Sequence, residues 1–253
     1  MYPYSTESEE NPYTHPTMTT AAVIIIGDEI LSGKFADENG PWLAKRCREL
    51  GIDLVRISII PDDVGVIAAE VQRCDTLADY IFTTGGVGPT HDDVTMAGIA
   101  LAFSVPLVRN ADLVGLIEER MGASVTDDAL TMADLPDGTV LWREDEKRFP
   151  VLVCRKVLIF PGVPSYLRNK FNDIAHRLSG VLIETRRLKT FQSESKIAAC
   201  LREAANRWTG VKIGSYPRLE EDPSYVIITM DSRDTDALNA CETWLQGSIT
   251  TAD

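Results

Sequence analysis

The sequence predicts an α/β chain: a doubly wound, mostly parallel sheet followed by a smaller C-terminal α+β subdomain. Two patterns carry that expectation. From Ala21 to about Gly180, short continuous apolar runs, as strands buried on both faces require, alternate with segments of helical periodicity. Beyond Ser179 and Gly180 the order changes to strand, helix, two strands and a helix, so residues 181–253 read as a unit of their own.

Residues 1–20 open the chain, and the first seventeen hold no Lys or Arg and are rich in Tyr, Pro, Ser, Glu and Asn. They read as a disordered tail, and as neither signal nor transit peptide. Ala21 to Ile26 is the first strand. Asn39 to Leu50 is a helix, with Pro41 in its first turn and Leu43, Cys47 and Leu50 on one face. Ile52 to Ile60 is a second strand. A helix follows from Asp63 to about Cys74, with Val64, Ile67, Ala68 and Val71 as its apolar stripe. Asp79 to Thr83 is a third strand, and after a glycine-rich turn a helix runs to about Phe103. Ala111 to Met121 is helical, Val157 to Phe160 is a further buried strand, and a helix begins near Ser165. In the last part, Val181 to Phe191 is a long strand and Ser193 to Trp208 a helix. Val211 to Tyr216 and Tyr225 to Met230 are strands, and Asp234 to about Leu245 closes as a helix.

A net charge of −13 excludes a nucleic-acid backbone or an anionic membrane as partner, since both would be repelled. A phosphate ligand would therefore need backbone amides, helix N-termini or a metal to supply positive potential. Five widely spaced cysteines without a Cys-x-x-Cys suit neither a disulfide framework nor a zinc site; they fit a reducing, cytoplasmic setting. No apolar run reaches membrane-spanning length.

Three turns each follow an expected parallel strand: Gly27 to Gly33, Gly85 to Asp93, and Pro161 to Pro164. Ligands of doubly wound sheets bind outside the carboxyl ends of the strands, so these turns converge on one crevice. Glycine lets backbone amides approach a phosphate, and the following helix adds its dipole. Acidic residues gather at the same places: Asp28 and Glu29, Asp37, Asp62 and Asp63, Asp92 and Asp93. Each site lies near an expected helix start, where one carboxylate acts as an N-cap. The surplus acid of a doublet makes sense beside a phosphate only with a divalent cation between them. His91 is a weaker acid–base candidate, His15 lies in the tail and His176 reads as structural; no nucleophile–histidine pairing is visible.

Taken in order, these turns resemble the molybdopterin-binding family that includes MoaB, Mog and the CinA N-terminal domain. The resemblance rests on Gly27-Asp28-Glu29-Ile30-Leu31-Ser32-Gly33, on Asp37 and Asn39, and on Pro61-Asp62-Asp63. It continues through Gly85-Gly86-Val87-Gly88-Pro89-Thr90-His91-Asp92-Asp93-Val94-Thr95 and Phe160-Pro161-Gly162-Val163-Pro164. Arg148-Phe149-Pro150, Gly214-Ser215-Tyr216-Pro217 and Thr229-Met230-Asp231-Ser232 are similar to the N-terminal domain of animal-type FAD synthase. Where CinA proteins carry an Asn-Pro-x-Gly-Thr-Ala-Pro-Gly loop, this chain has residues Trp142 to Pro150.

The resemblance implies metal-dependent cleavage of a dinucleotide pyrophosphate, FAD to FMN and AMP, with a non-catalytic flavin- or pterin-binding domain and molybdopterin adenylyl transfer as alternatives. It implies catalytic roles for Asp92 and Asp93 and metal ligation by Asp93 and Asp62. The implied nucleotide-binding residues are Gly27, Asp28, Glu29, Ser32, Gly33, Asn39, Gly85, Gly86, Gly88, Thr90, Pro161, Gly162 and Pro164. The implied cofactor is Mg, Mn or Co, with a monovalent cation as an optional addition, and the implied assembly is a homodimer or homotrimer. Nothing in the expected elements provides the adenylyl-transferring domain of FAD synthase, so synthesis of FAD is not expected.

Overall fold

The computed structural model describes residues 18–144 and 148–251. The expected tail falls outside them except for Met18 to Thr20, and Thr20 already opens the first strand. The chain divides into two compact units, residues 1–181 and 182–253.

The first unit is built on β1 (Thr20–Ile26), β2 (Asp53–Ile60) and β3 (Tyr80–Thr84). To these are added the short strands β4 (Leu107–Arg109), β5 (Asp134–Pro136), β6 (Val140–Trp142), β7 (Val151–Cys154) and β8 (Val157–Phe160). Its helices are α1 (Asp28–Leu31), α2 (Asn39–Glu49), α3 (Val64–Asp75) and α4 (Thr95–Phe103). They continue with α5 (Ala111–Met121), α6 (Asp127–Thr131) and α7 (Pro164–Ile174). The main sheet has the order β2-β1-β3-β8-β7-β6; the first four strands are parallel, β7 runs antiparallel to them, and β6 pairs antiparallel with β7 at the edge. The α/β class with a mostly parallel sheet is as the sequence predicts.

Burial explains the composition of β1. Ala22, Ile24 and Ile26 enter the core beneath α3, α4 and α5, while Ala21, Val23 and Ile25 enter a second core with α2 and α7. Successive residues of a strand face opposite sides, so a strand covered on both faces must be apolar throughout. The second core centres on Phe82, Phe160 and Phe171, whose ring centroids lie 5.6 to 6.2 Å apart.

The region 122–156 corrects the sequence reading, which places no strand there. β7 is an apolar run, but the turn joining it to β8 is Arg155-Lys156 rather than a glycine or asparagine pair. Arg155 takes the left-handed conformation at φ 55°. Its guanidinium sits 4.4 Å from the Phe103 ring centroid, and Lys156 donates to the Ala78 carbonyl at 3.0 Å. Tertiary contacts thus hold a turn whose local signal is weak.

The second unit contains β9 (Glu184–Thr190), α8 (Glu194–Arg207), β10 (Lys212–Arg218), β11 (Tyr225–Ser232) and α9 (Thr235–Ser248). Its strands pair antiparallel in the order β10-β11-β9. Val226, Ile228 and Met230 alternate inward along β11 against Ile197, Leu238, Cys241 and Leu245 of the two helices. Asp234 caps α9, accepting from the Ala237 amide at 3.0 Å.

Candidate functional site

The three turns leave the carboxyl ends of β1, β3 and β8, which are neighbours in the sheet. They abut one another. Gly85 has φ 102°, and an alanine β-carbon there would lie 2.0 Å from the Ile26 carbonyl oxygen. Gly86 has φ 61°, and the same atom would lie 2.5 Å from Thr95 Oγ1 and 3.2 Å from Asp62 Oδ1. A β-carbon on Gly162 would lie 3.3 Å from Gly85 Cα. Only glycine gives the middle turn this left-handed path at so close an approach. Thr95 fastens it from the helix side, its hydroxyl donating to the Gly85 carbonyl at 2.8 Å and its amide to the Gly86 carbonyl at 3.0 Å. Asn39 acts behind the turns: buried, it donates through Nδ2 to Thr84 Oγ1 at 3.0 Å and to the Gly162 carbonyl at 2.7 Å.

The acids divide as capping chemistry dictates. Asp63 caps α3, accepting from the Val66 amide at 2.9 Å. Asp37 accepts from the Asn39 and Gly40 amides at the start of α2. Asp62 is the surplus member of its pair: Oδ2 accepts from the Asp28 amide at 2.9 Å, and Oδ1 lies beside Gly86. Partial burial pushes the Asp62 carboxyl above the usual carboxylate range, and the charges of Glu29, Asp28 and Asp92 push the same way against that amide bond.

At Asp92 and Asp93 the structure corrects the sequence reading. Helix α4 starts at Thr95 with Val94 as its N-cap residue, so neither aspartate caps it. Asp93 instead closes its own turn, Oδ2 accepting from the Thr90 amide at 2.9 Å and from the Thr90 hydroxyl, with the carboxylate beside Gly88. Asp92 is exposed, and the nearby Thr90 hydroxyl, its own backbone and His91 hold its carboxyl below the usual range.

A cavity of about 950 Å³ opens at this edge of the sheet. Glu29, Gly85, Gly86, Gly88, Asp93, Pro161 and Gly162 line it, all expected from the sequence. Gly27, Asp28, Ser32, Gly33, Asn39, Thr90, Pro164, Asp62 and Asp92 stand outside the lining, although Asp62 and Thr90 support it from behind. Among the described residues no three His, Cys, Asp or Glu side chains form a ready-made metal cage. Asp62 and Asp93 nevertheless offer the hard oxygen donors a divalent cation takes: both carboxylates border the Gly86–Gly88 turn, Asp62 oriented by the Asp28 amide and Asp93 by the Thr90 amide. Magnesium commonly takes one or two carboxylates and completes its shell with water and ligand phosphates.

The rest of the lining comes from residues with no motif signal. Arg120 and Met121 from α5, Met96 from α4, Met132, and Tyr166, Asn169, Lys170 and Asp173 from α7 face the same space. Only Arg148, Phe149 and Pro150 among these neighbours stood out in the sequence. Lys170 donates to the Phe149 carbonyl at 3.1 Å and to the Pro150 carbonyl, and its ammonium lies 4.8 Å from the Phe149 ring centroid. Burial, helped by the Arg120 charge and opposed by Asp173, brings the Lys170 ammonium down to about 8.

Comparison with known proteins agrees with this architecture. Residues 22–180 match the family model "Probable molybdopterin binding domain", and residues 183–252 match "FAD synthase, middle domain". A protein of Archaeoglobus fulgidus is 33% identical over 213 residues, which cover 84% of this chain and 90% of that protein. The "Probable FAD synthase" of Caenorhabditis elegans is 31% identical over 261 residues, 91% of this chain and 50% of its own. The chain thus spans about half the length of that relative. A solved CinA structure from Thermoplasma acidophilum, described as of unknown function, superposes with a TM-score of 0.59 at 27% identity, covering 63% of this chain and 98% of that one. The chain therefore belongs to the molybdopterin-binding domain family, among FAD synthase-like and CinA-like proteins.

Proposed function

We propose that the first unit is a metal-dependent pyrophosphatase that cleaves FAD to FMN and AMP. The observation that carries this reading is the cavity, in which the glycine turns and Asp93 meet an apolar and cationic wall. A volume near 950 Å³ lies at the upper end of small-molecule sites, as a dinucleotide requires.

Gly86, Gly88 and Gly162 bring backbone close to the pyrophosphate, whose charge the amides and the nearby start of α4 offset. Asp62 and Asp93 would hold a divalent cation, which when bound neutralises and polarises the pyrophosphate. Asp92, kept ionised by its neighbours, orients the attacking water. The water oxygen bonds to one phosphorus as the bridging P–O bond breaks, and its proton leaves to solvent. FMN and AMP depart with one phosphate each.

The test is incubation of the purified chain with FAD and Mg, Mn or Co, with the products separated chromatographically. FMN and AMP in equal amounts support the reading. Tight binding of FAD without turnover would make the unit a binding domain instead. Adenylation of a pterin by MgATP would make it a transferase.

A further inference from the structure

The cavity has two chemically unlike parts. One is made by the glycine turns with Glu29 and Asp93. The other is made by Arg120, Arg148 and Lys170, with Asp173 as the neighbouring carboxylate. Helix α7 links them: it begins at Pro164 beside the Gly162 turn, and Lys170 lies six residues further, about 9 Å along the axis. That is a fitting separation for a pyrophosphate in one part and a ring in the other.

We propose that Lys170, with Arg120 and Arg148, forms a ring-recognition subsite that takes the carbonyl-bearing edge of a flat heterocycle, such as a flavin, and rejects an amino-bearing edge, such as that of adenine. The inference rests on the cavity being a dinucleotide site, but not on the cleavage step. Lysine and arginine only donate hydrogen bonds. Lys170 has three ammonium protons, and among the described residues two go to the Phe149 and Pro150 carbonyls. Arg148 spends donors on Asp173 at 2.6 Å and has others to offer. Phe149 gathers the cations: the Arg120 guanidinium lies 5.6 Å from its ring centroid and the Lys170 ammonium 4.8 Å.

The apolar lining fits a flat ring. Met96, Met121 and Met132 border the cavity with Ile117 and Leu152. Thioethers are polarizable and adapt to aromatic faces. A ring held there with two carbonyl oxygens toward the cations satisfies both sides. An adenine amino group in the same place would set donor against donor and leave both unpaired.

The test is equilibrium binding of FMN and of AMP to the full chain without added metal, by quenching of flavin fluorescence and by calorimetry. Both ligands carry one phosphate, so their difference reports the ring with its sugar link, and the Lys170 variant isolates the ring. FMN is expected to bind at least about tenfold more tightly than AMP, a difference of about 1.4 kcal/mol. Lys170→Met keeps the aliphatic stem and removes the ammonium, and is expected to weaken FMN about tenfold while AMP changes little. Should that variant melt early, Arg148→Gln is the second arm, with a smaller loss expected for FMN alone. Equal affinities for FMN and AMP, or unchanged FMN binding in both variants, would overturn the subsite. An FMN preference without FAD cleavage would remove the hydrolase reading and leave the subsite standing. Cleavage of FAD and ADP-ribose at equal rates, with no ring preference in binding, would do the reverse.

Discussion

Asp62 and Asp63 sit side by side and do opposite things. Asp63 caps a helix, so Asp63→Ala should lower stability by about 1 kcal/mol in urea unfolding. Asp62 is held above its ordinary carboxylate range, so its charge is less welcome in the folded protein than in the unfolded chain. A raised carboxylate favours folding at pH below its unfolded value and loses that contribution as pH rises through its folded value. Asp62→Asn should therefore melt no lower than wild type at pH 7, and its advantage should vanish in acid. The same substitution should weaken divalent-metal dependence of turnover, which separates a ligand from a cap. Lys170 gives a second pH signature. It is protonated below about 8 and neutral above, so FMN affinity should fall as pH rises through that value. The charged groups that share the cavity with it are Arg120, Arg148 and Asp173. In Lys170→Met the slope should disappear.

At the scale of elements, the strands that position the site were legible because burial on both faces leaves an unbroken apolar run. β1, β3 and β8 announce themselves in this way, each followed by a turn rich in glycine or proline. The antiparallel edge was not legible. Its hairpin turn is charged, and it is held by Arg155 against Phe103 and Lys156 against Ala78. The start of α4 misled for a related reason. Aspartate before a helix suggests a cap, yet Asp93 spends its carboxylate on Thr90 in the preceding turn. Arg120 and Lys170 escaped notice because α5 and α7 carry them at spacings indistinguishable from a solvated helix face. Helix α7 depends on its apolar side to hold Lys170 in place. Phe171 is fully buried against Phe82 and Phe160, so Phe171→Ala should cost about 3–5 kcal/mol in chemical denaturation. It should also raise the Kd for FMN more than that for a divalent metal.

At the scale of the whole molecule, every residue lining the cavity lies between Glu29 and Asp173, within the first unit. A fragment of residues 1–181 should keep its circular dichroism and its FAD cleavage; an unfolded fragment would show that the two units share their stability. The second unit has a core of its own around Ile228 and Met230. The net charge of −13 bears on the same site, because phosphate must be met by amides, a metal and a few placed cations rather than by the general field. Catalysis at the glycine turns is the central claim, and Asp93 is where it is most exposed to test. The measurement is FAD turnover of Asp93→Asn beside wild type with added divalent metal, read as the rise in flavin fluorescence when adenine departs, together with thermal melting. Asp93 caps no helix, and asparagine retains an oxygen for the Thr90 amide, so the melting temperature should stay close to wild type. Turnover should drop at least about a hundredfold. Wild-type turnover matched by Asp93→Asn would contradict the account.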